Sequence, residues 1–151
     1  MPLTFDDFGI RFLYPDNWLV QSRESDDDSD SVTLEMPNGG FFSVTRHHAS
    51  PAIEDVLDNI AAAMRAEYPE IEIEQVDSPG SDDPSGRDTQ SAAIELRFYY
   101  LDLLIVARIT AMMLSGHTVV VQVQAESRDF DTGEPVYNAM LKSIRDNMQN
   151  A

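Results

Sequence analysis

The 151-residue chain has no cysteine, a single lysine and no long apolar run. The missing cysteine excludes disulfide bonds, thiolate nucleophiles and metal sites with cysteine ligands. No apolar run approaches the roughly 18 residues that suggest a membrane span, and the first residues do not form the basic start of a signal peptide. We therefore expect a cytoplasmic protein without membrane insertion.

Positive charge is scarce, because 10 Lys and Arg oppose 27 Asp and Glu, for a formal net charge of −17. Phosphate binding needs patches of Lys and Arg, so the composition argues against nucleic acid and favours a basic protein partner. An apolar content of 42%, with 7 Gly and 8 Pro, is that of a folded globular chain. The length fits one domain spanning residues 1–151.

Motifs of catalysis and cofactor binding are missing as well. No Ser lies in a Gly-x-Ser-x-Gly elbow, and no phosphate-binding Gly loop follows a strand. The adjacent His47 and His48 end a predicted strand and point to opposite faces, so they cannot easily bind one metal. We predict no catalytic residue, no metal and no cofactor. A small-ligand-binding protein or an enzyme, with a site assembled only in space, is the alternative.

The N-terminal part predicts strands. Residues 8–14 alternate as a half-buried strand does, 15–17 form a turn, and Trp18 starts a second strand that runs to Ser22. Trp18 is expected to pack in the core, with an aromatic ligand platform as the other interpretation.

An acidic segment, Asp26 to Asp30, superficially resembles a calcium loop. It lacks the central Gly and the Glu at position twelve of an EF-hand, and it lies between strands instead of helices. We interpret it as a solvated loop, and a calcium-dependent module is a third functional option.

A hairpin follows, because residues 32–36 and 41–46 alternate around the turn sequence 37–40. A helix comes next, with Ser50 as its cap and Pro51 as its first residue. It carries an apolar stripe formed by Ile53, Val56, Leu57, Ile60 and Met64.

That helix should end at Tyr68, because Pro69 disfavours helical geometry in the residue before it. Residues 71–76 then form a strand, and 77–90 form a long loop rich in Pro, Gly, Ser and Asp.

The stretch 91–125 predicts three consecutive strands, since nearly every second residue is large and apolar. A two-residue turn at Leu101-Asp102 places Glu95 opposite Arg108. A three-residue loop, Ser115-Gly116-His117, puts Val119, Val121 and Val123 on the apolar face with Ile105 and Ile109. A two-residue loop would put them with Arg108. Burial favours the three-residue loop, which makes His117 a turn residue.

The opposite face of these strands mixes polar and apolar side chains. Either a second layer covers it while Arg97 and Arg108 pair with carboxylates, or it forms a groove for a partner segment or an anion. The candidate partner-binding residues in such a groove are Arg97, Tyr99, Arg108 and Gln122.

A closing helix should start after the loop 126–133, with Asp131 or Thr132 as its cap and Pro135 in its first turn. The order of elements, and the opening segment Gly9-Ile10-Arg11-Phe12-Leu13-Tyr14-Pro15-Asp16-Asn17-Trp18, resemble the PsbP-like superfamily. That group includes DcrB-type bacterial proteins, a Ran-binding import factor and Eag-type secretion chaperones. The end of the chain, 137–144, is similar to the last helix of that family.

The resemblance implies an α+β fold: a twisted antiparallel sheet of about six to eight strands flanked by two main helices. It also implies binding rather than catalysis. We therefore expect a non-catalytic bacterial module that binds a protein or peptide segment, as a chaperone or adaptor of a secretion or envelope pathway.

Overall fold

The structure, a computed structural model, describes residues 1–76 and 91–148. The predicted loop 77–90 lies outside the described residues. The strands and helices, in chain order, are β1 (Leu3–Asp7), β2 (Ile10–Tyr14), β3 (Leu19–Ser25), β4 (Ser29–Glu35), β5 (Phe41–His47), α1 (Ile53–Glu67), β6 (Glu72–Val76), β7 (Ser91–Tyr100), β8 (Leu103–Leu114), β9 (His117–Glu126) and α2 (Ser127–Met148).

Seven strands form one antiparallel sheet in the order β3-β4-β5-β9-β8-β7-β6, and β1 and β2 form a separate two-stranded sheet. The predicted α+β class, with an antiparallel sheet of six to eight strands and two main helices, is confirmed. The sequence pattern did not indicate β1. In the described ranges neither helix is long and apolar enough to cross a membrane.

Both faces of the large sheet are covered. Helix α1 packs on one face, where its buried Ile53, Leu57 and Ala61 join side chains of β7, β8 and β9. Helix α2 and the β1–β2 sheet cover the other face and enclose a larger apolar cluster. Each large side chain buried there contributes about 1.5–3 kcal/mol, so both layers are part of the fold.

Trp18 belongs to the cluster under α2, as the core interpretation predicts. It is 8% exposed, and its ring centroid lies 6.0 Å from that of Phe42 and 6.3 Å from that of Tyr137. Tilted aromatic pairs at this separation are favourable beyond the area that they bury.

The first central turn is as predicted. Tyr100 pairs with Leu103 across the two-residue turn, and Glu95 lies opposite Arg108. The second turn is not as predicted: Leu114 pairs with His117, so the turn has two residues, Ser115 and Gly116.

Both residues of that second turn have positive φ, 50° for Ser115 and 79° for Gly116. A turn of this kind matches the right-handed twist of the strands that it joins. His117 is therefore the first residue of β9 and not a turn residue, and its Nδ1 lies 3.2 Å from the carbonyl oxygen of His47.

The three valines Val119, Val121 and Val123 consequently lie on the Arg108 face, beneath α2. Burial did not discriminate between the two registers, because each face of the sheet packs against its own layer. Val120 on the α1 face is buried as well, so burial of apolar residues alone did not fix the register.

Helix α1 begins later than predicted. Its N-cap is Ala52, which makes no side-chain capping bond, whereas the hydroxyl of Ser50 donates to the carbonyl of Gly116. The Pro51 carbonyl accepts from Thr118 Oγ1 at 2.7 Å. Residues 50 and 51 are thus held by the β8–β9 hairpin. The predicted end is confirmed, since α1 stops at Glu67 with Tyr68 as its C-cap.

Helix α2 begins earlier than predicted, at Ser127, so there is no loop from 126 to 133 and Pro135 lies inside the helix. The early start buries Phe130, which is 2% exposed. Gly133 has a packing role, because a Cβ at this position would lie 2.9 Å from Cε1 of Tyr137.

Candidate functional site

The β7–β8 hairpin projects beyond the strands on either side of it. Pairing of β7 with β6 stops at Arg97, and pairing of β8 with β9 begins at Ile105. The hairpin continues to its turn at Leu101 and Asp102, so residues 98–104 form a two-stranded extension of the sheet. Within the described part of the chain, no strand pairs with β7 beyond Arg97 on the side away from β8.

A groove lies at the base of this extension, and we call it the hairpin groove. It has a volume of about 710 Å³. Its walls are the segment 67–72, which ends α1 and leads into β6, residues 97–99 of β7, and Leu104 of β8.

Two stacked rings form part of that wall. Tyr68 lies against Phe98, with ring centroids 4.4 Å apart and an interplanar angle of 29°. Tyr68 takes this position because α1 ends there: its N–H donates to the Met64 carbonyl at 2.8 Å, and its own carbonyl accepts from Ile71 at 3.0 Å. Pro69 thus sets the position of an aromatic wall.

The rim of the hairpin groove is acidic. Glu67, Glu70 and Glu72 are exposed and line it, and Arg97 is the one basic residue among the lining side chains. Arg97 is already paired, with Nη1 3.0 Å from Glu74 Oε1 and Nη2 2.7 Å from Glu95 Oε1. The hydrogen bond to Glu74 raises the pKa of Arg97 above its usual value. The groove therefore offers aromatic and apolar surface bordered by exposed carboxylates.

Arg108 lies deeper. Its Nη2 is 3.1 Å from Glu95 Oε2 and 3.2 Å from Glu134 Oε1 of α2, and its guanidinium lies 5.0 Å from the ring centroid of Phe130. Its side chain is 12% exposed and that of Glu95 is 9% exposed. Helix α2 is thus the second layer that was one of the two predictions for the Arg108 face of the sheet. Arg108 connects the sheet to this helix.

The four candidate residues do not come together. Arg97 and Tyr99 line the hairpin groove, and Tyr99 is 71% exposed. Arg108 shares their face but is largely covered by α2, with 12% of its side chain exposed. The placement of Gln122 on that face is wrong, because it pairs with Ile109 and lies on the α1 side of the sheet. The two-residue turn is the physical reason, since it reverses the face of every residue in β9.

The acidic segment is also more structured than predicted. Asp26 accepts backbone N–H groups of Asp28 and Ser29 at 2.8 and 2.9 Å, which lowers its pKa. Asp30 is 5% exposed and belongs to β4, so the prediction of a solvated loop is wrong at this residue.

The carboxylate of Asp30 accepts from Ser25 Oγ at 2.6 Å, lies 2.8 Å from His48 Nε2 and pairs with Arg46 at 3.4 Å. Burial alone would raise the pKa of Asp30, but the hydrogen bonds from Ser25 and His48 outweigh it and lower the pKa. In the described residues no group of three or more His, Asp or Glu could hold a metal ion.

Sequence reasoning missed the projecting hairpin and the hairpin groove. A signal was present in the run from Tyr99 to Leu104. Two-residue turns usually contain Asn-Gly or Asp-Gly, whereas this one contains Leu101 and Asp102 between large apolar residues. The pairing lengths of the strands on either side, which make the hairpin project, are not readable from that run.

Comparison with known proteins supports the architecture. No protein-family model and no curated protein matches the sequence. Among solved structures, cyanobacterial PsbP (CyanoP) from Synechocystis has a TM-score of 0.60 and 15% identity, covering 94% of this chain and 90% of that one. The PA94 protein of Pseudomonas aeruginosa, a protein of unknown function, has a TM-score of 0.52 and 10% identity, with 94% of each chain covered.

LpqN of Mycobacterium tuberculosis, involved in cell envelope biogenesis, matches with a TM-score of 0.44 and 12% identity, over 97% of this chain and 87% of LpqN. Likeness at these identities concerns architecture, and one fold can host unrelated functions. The predicted resemblance is confirmed at that level: this chain has the PsbP-like fold.

Proposed function

We propose that this chain is a non-catalytic protein-binding module, which holds an extended, basic and apolar segment of a partner in the hairpin groove. The observation that carries the proposal is the combination of the Tyr68–Phe98 stack with an exposed rim of Glu67, Glu70 and Glu72. Aromatic surface supplies contact area, and carboxylates select cationic partners and speed their encounter. A chaperone or adaptor of a bacterial secretion or envelope pathway would need such a site.

The identity of Arg97 supports a peptide as the occupant. Its guanidinium is held by two carboxylates, 38% of its side chain remains exposed, and it lines the hairpin groove together with the exposed Tyr99. A fixed guanidinium can donate to the carbonyl groups of a segment that lies along the groove. The glutamates of the rim would then meet its basic side chains.

Selection from a phage-displayed library of random 12-residue peptides tests this proposal. We expect selected peptides to combine Arg or Lys with Phe, Leu or Trp, and to bind more weakly as salt increases. Changing the three rim glutamates to glutamine should lower their affinity about tenfold or more, since each surface charge contributes up to about 1 kcal/mol.

A matched control removes the same charge elsewhere on α1. Changing Glu54, Asp55 and Asp58 to their amides alters the first turns of the helix, about 14–20 Å from Glu67 at 1.5 Å per residue. This control should leave peptide affinity within about twofold. Selected peptides without basic residues, or equal losses in the two triple variants, would refute the proposed groove.

A further inference from the structure

The tip of the β7–β8 hairpin exposes large apolar side chains. The exposed fractions are 71% for Tyr99, 54% for Tyr100, 79% for Leu101 and 47% for Leu103. Single exposed apolar residues are ordinary, but four within five positions at the end of a projecting hairpin form a patch. Such patches mark surfaces that bind another molecule.

The backbone at this tip is unfavourable for the residue that occupies it. Leu101 has φ 50° and Asp102 has φ 65°, both in the left-handed region. A leucine side chain is disfavoured there, and turns of this kind normally carry Asn, Asp or Gly. The β8–β9 turn, by comparison, uses Gly116 for its second position.

Leu101 is therefore unfavourable in two independent ways, through its backbone conformation and through the exposure of its side chain to water. Strained residues of this kind cluster at functional sites, where a bound partner benefits from the conformation. The flanking Tyr99 and Tyr100 are of the residue type that most often anchors protein interfaces.

Charge decides what the occupant is. Asp102 lies at the tip, Glu70 and Glu72 lie at the base of the hairpin, and the whole chain has a net charge of −17. An anionic membrane surface would repel this end of the molecule, and so would a second copy of the same acidic tip. A protein surface with an apolar cleft and a basic rim is complementary to it.

We propose that the hairpin tip is an anchor that inserts Leu101 and the adjoining tyrosines into an apolar, basic-rimmed cleft of a partner protein. The inference deepens the proposed function and rests on its first part, that the chain is a protein-binding module. The hairpin groove holds a segment of the partner, and the tip enters the partner's own cleft.

Cross-linking identifies the occupant. The full chain carries the change Leu103→p-benzoylphenylalanine, which leaves Leu101 in place, and a control chain carries the same change at Leu19, 65% exposed on the edge strand β3. We expect position 103, and not position 19, to cross-link one protein at a site that peptide mapping places in an apolar cleft with Lys or Arg at its rim. Cross-links only to a second copy, or none at all, would overturn the proposal.

Affinity for that purified protein is then measured. Leu101→Asn should weaken binding about ten- to a hundredfold, the contribution of one buried leucine, whereas Leu19→Asn should change it less than about twofold. Asn suits the left-handed turn, and an unchanged or higher urea midpoint of the variant shows that weaker binding is not misfolding.

Two further outcomes separate this inference from its alternatives. Co-sedimentation with phosphatidylcholine or phosphatidylglycerol vesicles that depends on Leu101 would make the tip a membrane anchor and refute a protein cleft. If rim variants of the hairpin groove abolish binding but Leu101→Asn does not, the anchor is wrong and the binding module stands. If peptides fail to bind the groove while Leu101→Asn still releases the partner, the groove is wrong and the anchor stands.

Discussion

The substitution Arg108→Met tests whether Arg108 holds the fold together or binds a partner. Methionine keeps much of the apolar stem of arginine and removes the charge. In the native protein the Arg108 guanidinium contacts Glu95 in β7 and Glu134 in α2, and lies over the Phe130 ring. The substitution therefore removes the ionic contacts between the sheet and the first turns of α2 without opening a large cavity.

The magnitude follows from burial. Breaking a buried ion pair by removing one partner costs about 3–5 kcal/mol, because the remaining charge is left unpaired. Here Arg97 stays 2.7 Å from Glu95 Oε1, so the carboxylate keeps one partner. We therefore expect a loss of about 2–3 kcal/mol for Arg108→Met, below the usual range. Arg97→Met, at a side chain 38% exposed, should cost about 1 kcal/mol or less.

Urea denaturation followed by the fluorescence of the buried Trp18 measures both variants. Each kcal/mol corresponds to about 2–4 °C in melting temperature for a chain of this size, so thermal unfolding is an independent check. Binding should show the reverse order, with Arg97→Met weakening peptide affinity more than Arg108→Met. Equal stabilities of the two variants within about 0.5 kcal/mol would refute the assignment of Arg108 to the core.

Three further predictions follow from local geometry. The hydrogen bond to Asp30 raises the pKa of His48, so the stabilisation from this contact is complete below about pH 6.5 and is lost as pH rises through the raised pKa. His48→Gln should therefore lower the free energy of unfolding, measured by urea titration, more at pH 6 than at pH 9. An equal loss at both pH values would contradict this prediction. Gly40→Ala should lower the free energy of unfolding by about 1–3 kcal/mol, because the added Cβ would lie 2.6 Å from the Gln124 carbonyl oxygen. An unchanged urea midpoint would show that the backbone at Gly40 and Gln124 moves apart without cost. Leu101→Asn should stabilise the chain by about 1 kcal/mol, because it relieves a left-handed leucine, and a lower urea midpoint would argue against strain there.

Much of the fold could be predicted from local sequence patterns. Alternation in residues 8–14, 32–36 and 41–46 predicted strands that the structure contains, although the first begins only at Ile10 because Phe8 and Gly9 have positive φ. Pro69 predicted the end of α1. These features depend on neighbours along the chain, and sequence patterns report such neighbours directly.

The wrong predictions concern features that depend on packing between elements distant in sequence. The β8–β9 register was wrong because α1 and α2 bury opposite faces of one sheet, so apolar residues alone do not indicate a side. The start of α2 was misplaced because Gly133 and Pro135 look like helix boundary signals, whereas Gly133 makes room for Tyr137. Gln122 moved to the other face with the register, and Arg108 proved to be buried by a helix whose start had been placed too late.

The β1–β2 sheet packs on α2, so the two ends of the chain complete each other. Phe5 and Phe12 share a cluster with Ile144, and the N–H of Leu13 donates to Ser143 Oγ at 3.0 Å, across 130 positions of sequence. During synthesis, β1 and β2 therefore cannot bury their apolar side until α2 has been made. Contacts this distant slow folding and leave apolar surface exposed until α2 has been made, so we expect these elements to fold together rather than progressively from β1.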